Sequence, residues 1–307
     1  MADDLVGGPP PPDPKLHEDE VVIDDRLVRQ LVSDQFPAFS GLPLSRLAST
    51  GTDLAVYRLG DELVVRLPRI AWAVAQVGKE RRWLGHLGPG LPAALPEVVA
   101  VGRPGRNYPF PFLVSRWLAG SDLLHADVED WDALADELAG FVRALWQLEP
   151  PGPAPGARGG PLAPHDEDVR RAVASLAGEI DAGRALALWE EATAAPPWAG
   201  EPVWVHGDLL PGNVIVEAGR LAGVVDWGSA GLGDPACDMM IAWSLPLAAR
   251  RRFRTALGVD DATWLRGRGW TLQQAVLFIP YYARTIPDGV EAARRRLGAL
   301  LVAAELS

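Results

Sequence analysis

One stretch constrains this 307-residue chain more than any other. Residues 203–226 read V-W-V-H-G-D-L-L-P-G-N-V-I-V, then E-A-G-R, then L-A-G-V-V-D. An apolar run of strand length enters a polar loop, a second run leaves it, a short turn reverses the chain, and a third run returns. This succession brings three polar side chains, Asp208, Asn213 and Asp226, to one end of a small sheet. A chain so written must fold with two loops meeting at that point.

Phosphoryl transfer from a nucleotide asks for this set of groups. A carboxylate must orient the attacking hydroxyl and take its proton, and hard oxygen ligands must hold Mg²⁺ against the phosphates. Protein kinases use an Asp, an Asn five residues later and the Asp of a D-x-G turn for these tasks. Asp208 and Asn213 have that spacing, and Asp226-Trp227-Gly228 supplies the turn. With no cysteine or histidine cluster beside it, an Asp/Asn donor set suits Mg²⁺ better than zinc.

HGDLLPGN followed by VVDWGSAGLGDPACD resembles the paired motifs of the aminoglycoside phosphotransferase family, whose fold is similar to that of protein kinases. The two motifs lie between Val203 and Asp238, and the strand order ahead of them extends the likeness over most of residues 40–305. The resemblance is specific for the family and not for the substrate, because choline, homoserine, fructosamine, macrolide and aminoglycoside kinases are alike at these residues. It implies an α+β, two-lobed protein-kinase-like fold, with a five-stranded antiparallel N-lobe over residues 21–119 and a mostly helical C-lobe over residues 120–307. It further implies Asp208 as catalytic base, Asn213 and Asp226 as metal ligands, and His206 as a structural anchor of the loop. The implied activity is transfer of the γ-phosphate of ATP or GTP to a hydroxyl of an aminoglycoside-like substrate, with antibiotic resistance as a consequence. A macrolide or a metabolic alcohol (choline-, homoserine- or sugar-like) as acceptor, and a nucleotide-binding pseudokinase, stand as alternatives.

Strand patterns at 44–49, 54–59, 63–68, 95–101 and 110–117 flank a helical pattern at 71–87. In kinase-like folds a basic residue on the third strand grips the α/β-phosphates and pairs with a glutamate on the following helix. Arg66, in V-V-R-L-P, and Glu80, on the apolar face of the helix, match those places. Arginine stands where lysine is usual, and only Lys15 and Lys79 are lysine in the whole chain. An arginine makes the same charge-assisted contacts with a wider, more rigid fork. Lys79, the runner-up, sits beside Glu80 on the same helix. The turn Ser49-Thr50-Gly51-Thr52-Asp53 is expected over the triphosphate with Thr50, Gly51 and Thr52 as donors, or else is a plain hairpin turn. Residues 113–120 resemble a kinase hinge, so the Arg116 carbonyl and the Leu118 amide are expected at the adenine, with Trp117 in packing.

Beyond Gly120, helices are expected at 131–148, near 166–193, at 235–254 and at 271–304, the last broken by Pro280 and Pro287. The Pro/Gly segment 150–165 reads as a functional loop or flexible insert. Residues 1–20, acidic and Pro-rich, read as disordered or loosely draped. Asp234-Pro235 starts a helix, and Asp238 either hydrogen-bonds the catalytic loop or is a solvated acid. Asp166, Glu167 and Asp168 either favour a helix dipole or bind a substrate amine. Cys237 reads as a packed thiol, and the tryptophans as core.

Hydrophobic residues at 48% and charged residues at 22% exclude a disordered or fibrous chain. No apolar run is long enough to span a bilayer and the first residues do not resemble a secretion signal, so a cytoplasmic protein is expected. A net charge of −11 repels nucleic acid and anionic membrane and favours a cationic small molecule. A nucleoside triphosphate is the other expected partner, and the chain itself is expected to be a monomer or weak homodimer.

Overall fold

The computed structural model describes residues 15–47 and 51–302. The first helix, α1 (Asp25–Gln35), begins where the Asp24 carboxylate accepts the Leu27 N–H at 2.7 Å. Strands β1 (Leu44–Arg46), β2 (Leu54–Leu59) and β3 (Leu63–Pro68) follow, then helix α2 (Val74–Leu87), then β4 (Val98–Gly102) and β5 (Phe112–Arg116). They form one five-stranded sheet in the order β1-β2-β3-β5-β4, with every pair antiparallel. The central strand β3 is buried at all six positions, which explains its near-continuous apolar sequence. Val28, Leu31 and Val32 of α1 close one face of the sheet against Tyr57, Val65 and Val114. On α2 the residues spaced at helical period, Glu80, Trp83, Leu84 and Leu87, all face inward, as their pattern predicts.

The second part of the chain holds β6 (Ser121–Asp122), α3 (Trp131–Gln147), α4 (Asp166–Ser175), α5 (Ala182–Ala194), β7 (Val203–Val205), β8 (Val214–Glu217), β9 (Arg220–Val224), β10 (Gly231–Gly233), α6 (Leu247–Leu257), α7 (Asp261–Tyr282) and α8 (Pro287–Leu301). Two small sheets, β6-β8-β9 and β10-β7, carry the loops of the 203–238 stretch. Helices surround them through a second, larger hydrophobic cluster.

Several helix expectations are corrected. The single helix near 166–193 is two, because Asp181 caps a new start through the Arg184 N–H at 2.9 Å. Residues 235–254 form a 3₁₀ run over Pro235–Ser244 before α6 begins. The last long helix starts earlier than 271, at the Asp260 cap, which accepts the Thr263 N–H at 2.7 Å. Pro280 does not break it. It lies in the last turn of α7, and Pro287 occupies the first turn of α8, where no helical N–H is needed.

Residues 15–20, expected to be loose, are ordered. His17 is buried, with Nδ1 3.0 Å from the Tyr281 hydroxyl and Nε2 3.2 Å from the Thr52 carbonyl. Its ring meets Trp72 and Tyr282 edge to face. The Leu16 N–H donates to Glu20, whose carboxylate lies 3.9 Å from Arg69. An acidic, Pro-rich composition said nothing of these specific partners. Among the described residues no helix is long and apolar enough to cross a membrane.

Candidate active site

The loop between β7 and β8 is held by a buried carboxylate. Asp238 accepts the His206 N–H at 3.1 Å and the Gly207 N–H at 2.9 Å, so of the two readings of this acid the loop contact is the one the structure contains. Burial pushes the Asp238 carboxyl up to about 7, against the two backbone donors. His206 is fully buried against Trp227 and bonds the Val225 carbonyl at 3.0 Å through Nε2. Its Nδ1 accepts the Asp208 N–H at 3.2 Å, and burial lowers its pKa. Gly207 has φ +77°, and a Cβ there would stand 2.9 Å from the Ser229 carbonyl. A side chain is excluded on both counts. The loop is therefore fixed from both sides before any ligand arrives.

The loop presents Asp208 and Asn213. The Asn213 amide nitrogen donates to the Asp208 carbonyl at 2.8 Å and lies 3.4 Å from its Oδ2. The β8/β9 hairpin, in register at Val214 and Val224, then returns the chain, and the Val225 N–H bonds the Asn213 carbonyl at 2.9 Å. Asp226 follows with φ +61°, a left-handed backbone that costs a non-glycine residue energy and aims its side chain out of the hairpin.

Arg66 and Glu80 meet at 2.6 Å, both buried. The second Glu80 oxygen accepts the Trp227 N–H at 3.0 Å, while Arg66 Nη2 reaches Asp226 at 3.5 Å. Glu80 thus ties the sheet arginine and the Asp226 turn together. Burial opposes the charge on Arg66, but Glu80 and then Asp226 outweigh it and hold the guanidinium protonated. An ammonium could not span both partners in this way. Lys79 instead lies 3.4 Å from the Ala230 carbonyl, and burial lowers its pKa.

A residue not singled out in the sequence completes the centre. Arg158 donates to Asp208 Oδ1 at 2.6 Å and to the Gly207 carbonyl at 2.8 Å. It comes from the Pro/Gly segment, which runs along residues 229–234 through the Ala157 N–H to Ser229, the Leu232 N–H to Ala154 and the Asp234 N–H to Gly159. Glycines face one another there: a Cβ on Gly231 would lie 2.2 Å from the Gly156 nitrogen. The only signal in the sequence was the pairing of PGARGG with GLG, small residues in two segments that could approach closely.

Two cavities meet at this centre. A narrow one of about 350 Å³ lies under the five-stranded sheet, lined by Val56, Val64, Arg66 and by Arg116, Trp117 and Leu118, the residues expected at an adenine. The Arg116 side chain turns outward to Glu62 at 2.9 Å, and Trp117 packs beneath the Arg58 guanidinium. A wider cleft of about 740 Å³ lies toward α7 and α8 and contains Asp208 and Arg158. Gly51, Gly212, Asn213 and Asp226 line both. Thr52 lines only the wide cleft, its hydroxyl held by Asp53 at 2.6 Å, so it is not among the lining of the narrow cavity. Thr50 lies outside the described residues. Among the described residues no three His, Cys, Asp or Glu cluster to hold a metal. The Asn213 oxygen and the Asp226 carboxylate still fit Mg²⁺, a cation that takes few protein ligands and draws the rest from phosphates and water.

Asp166, Glu167 and Asp168 do not reach the cleft. Asp166 bonds Arg170 at 3.0 Å and Trp189 at 2.8 Å, and the other two pair with Arg171. They pair at the start of α4 and are not among the residues that line the wide cleft.

A family model described as a phosphotransferase enzyme family matches residues 45–270. An aminoglycoside 3'-phosphotransferase of Escherichia coli is 26% identical over 214 residues, covering 62% of this chain and 72% of that protein. The uncharacterized protein YcbJ of Bacillus subtilis is 26% identical over 222 residues, 64% and 69% of the two chains. Among solved structures, an aminoglycoside 2'-phosphotransferase-IIIa with GDP superposes with a TM-score of 0.68 at 19% identity, over 90% of this chain and 99% of that one. A macrolide 2'-phosphotransferase from Brachybacterium faecium gives 0.56 at 23% identity, over 89% and 97%. The likeness spans both lobes and shows the two-lobed kinase-like fold expected from the sequence.

Proposed function

The chain belongs to the phosphotransferase enzyme family, and on that premise we propose that it moves the terminal phosphate of ATP or GTP onto a hydroxyl of a small molecule. The observation that carries this reading is the junction of the two cavities at Asn213 and Asp226, with Asp208 on the wide side. A base placed in line between an acceptor in one cavity and a phosphate chain leaving the other is what phosphoryl transfer needs.

In this mechanism the narrow cavity takes the base of the nucleotide at the 116–118 hinge, and Arg66, braced by Glu80, faces the phosphates. Asp208 accepts a hydrogen bond from the acceptor hydroxyl, aligns its oxygen and takes its proton as the new bond forms. Arg158 hydrogen-bonds the same carboxylate, fixing its orientation, and brings a positive charge beside the point of transfer, where charge builds on the phosphoryl oxygens. Asn213 and Asp226 would hold Mg²⁺, which when bound would supply electrostatic stabilisation of the phosphate oxygens. Every residue of this set is present, which argues against a pseudokinase. Two of the similar proteins are named for aminoglycosides and for macrolides, and the acceptor here is a hydroxylated small molecule.

Replacing Asp208 by Asn tests the role of the base. Substrate-dependent release of nucleoside diphosphate should fall about a hundredfold to ten-thousandfold, while calorimetric affinity for the nucleotide stays as in the parent. Unchanged turnover would refute the assignment.

A further inference from the structure

The wall of the wide cleft formed by α7 and α8 has the wrong charge for a polyamine. Besides Asp208 and Asp226 at the phosphate junction, the cleft's one acid is Asp53, on the opposite wall, where Thr52 and Gln76 hold its two oxygens and burial raises its pKa. The α7/α8 wall and the 157–165 segment contribute Arg158, His165 and Arg296, with Trp270, Gln273 and Phe278 among them.

Arg296 is the unusual member. It lies on the inward face of α8 with Ala293, Leu297 and Leu300 and is only 4% exposed. Among the described residues its one hydrogen-bond acceptor is the neutral side chain of Gln274, and no carboxylate lies within ion-pair distance. Its Nε is buried with no partner, as are Trp270 Nε1 and Gln273 Oε1 beside it. Burial lowers the guanidinium pKa to about 10, so the group still carries its charge at neutral pH. Asp208 favours the charge from a distance and Arg158 opposes it, but no carboxylate pairs with Arg296 directly, and a buried charge so incompletely compensated is costly until an anion enters. The narrow cavity does not include Arg296, so the anion it faces is not in the nucleotide's base site.

From this we infer that the acceptor is an alcohol with a flat apolar body and an anionic group, its carboxylate or an equivalent oxyanion meeting Arg296, and not a polycation such as an aminoglycoside. This rests on the proposed transfer chemistry only in taking the wide cleft as the acceptor's. The net charge of −11 does not describe the cleft: many of the acids sit on outer faces, paired as at Asp166–Arg170, Asp136–Arg252 and Glu179–Arg294, and only Asp53, Asp208 and Asp226 of the described acids line it.

The test uses the full chain with Mg²⁺ and a non-hydrolysable nucleotide, and three probes of one skeleton: para-hydroxymethyl benzoate, its carboxamide and its aminomethyl analogue, with kanamycin as a polyamine. Calorimetry should find the carboxylate bound about tenfold or more tighter than the amine, and Arg296→Gln should erase the preference of carboxylate over carboxamide while nucleotide affinity is unchanged. Arg296→Lys, which keeps the charge, should retain part of it. Tighter binding of the amine or of kanamycin, no measurable binding of any aromatic probe at millimolar concentration, or a variant that loses nucleotide affinity and keeps the probe preference each overturns the inference. Binding is read without turnover, so a carboxylate preference in a protein that transfers no phosphate would fault the proposed activity and leave the acceptor class standing.

Discussion

At the scale of single residues the centre depends on side chains that each hold more than one partner. Arg66 touches Glu80 and approaches Asp226, so a return to the lysine usual at this place should not improve the protein. Arg66→Lys is expected to weaken nucleotide binding about tenfold, since a hydrogen bond between charged groups contributes about 1.5–3 kcal/mol; calorimetry that finds equal or tighter binding would show that the fork is dispensable. Arg158 stands against Asp208 at 2.6 Å. Arg158→Met should lower turnover by about a hundredfold or more while nucleotide affinity holds, as for other donors aimed at developing charge, and a fall in affinity with turnover intact would place the residue on the nucleotide instead. The sequence showed Arg66 and Glu80 through strand and helix periodicity. It could not show Arg158 or Arg296, because one lies in a segment without period and the other hides in a run of three arginines of which two face water.

Among the elements, the Pro/Gly segment is the one whose part in the site was least legible. It has no helical or strand period, yet it lies against β10 through backbone contacts that only glycines permit. Gly231→Ala should push this segment away, because the added carbon meets backbone and not a flexible side-chain end. We expect lower turnover with normal nucleotide binding, the same signature as loss of Arg158; a variant with parent kinetics would mean that the segment does not position the arginine. The helices were legible where apolar period and cap agreed, as in α1 and α3, each opened by an aspartate that accepts a first-turn N–H. They were misread where a turn inside a helical pattern divided it, as between α4 and α5, and where a proline fell close enough to a helix end to be tolerated, as in α7.

For the whole molecule, two buried titrating groups under the loop set opposite dependences of stability on pH. Asp238 keeps its proton in the fold up to about 7, whereas an unfolded chain releases it near 4, so this contribution is present below about pH 4 and is lost as pH rises to 7. His206 is held neutral by burial, so the unfolded chain takes up the extra proton below about pH 6.5 and stability from this group falls with falling pH. Asp238→Asn removes the first dependence alone. Urea midpoints should therefore show the variant gaining on the parent as pH is raised from 5 to about 7.5, and parallel curves would contradict the buried acid. The order of strands and helices, the loop bearing Asp208 and Asn213, and the turn at Asp226 were determined by the sequence itself, because hydrophobic period, turn residues and spacing act between neighbours along the chain. What only the tertiary structure decided is the company those groups keep: Arg158 on Asp208, Asp238 beneath the loop, His17 between Thr52 and Tyr281, and Arg296 with no acid on the α7/α8 wall. Each of these joins residues tens of positions apart, and the field at a site depends on which charges packing brings there, not on how many the chain contains.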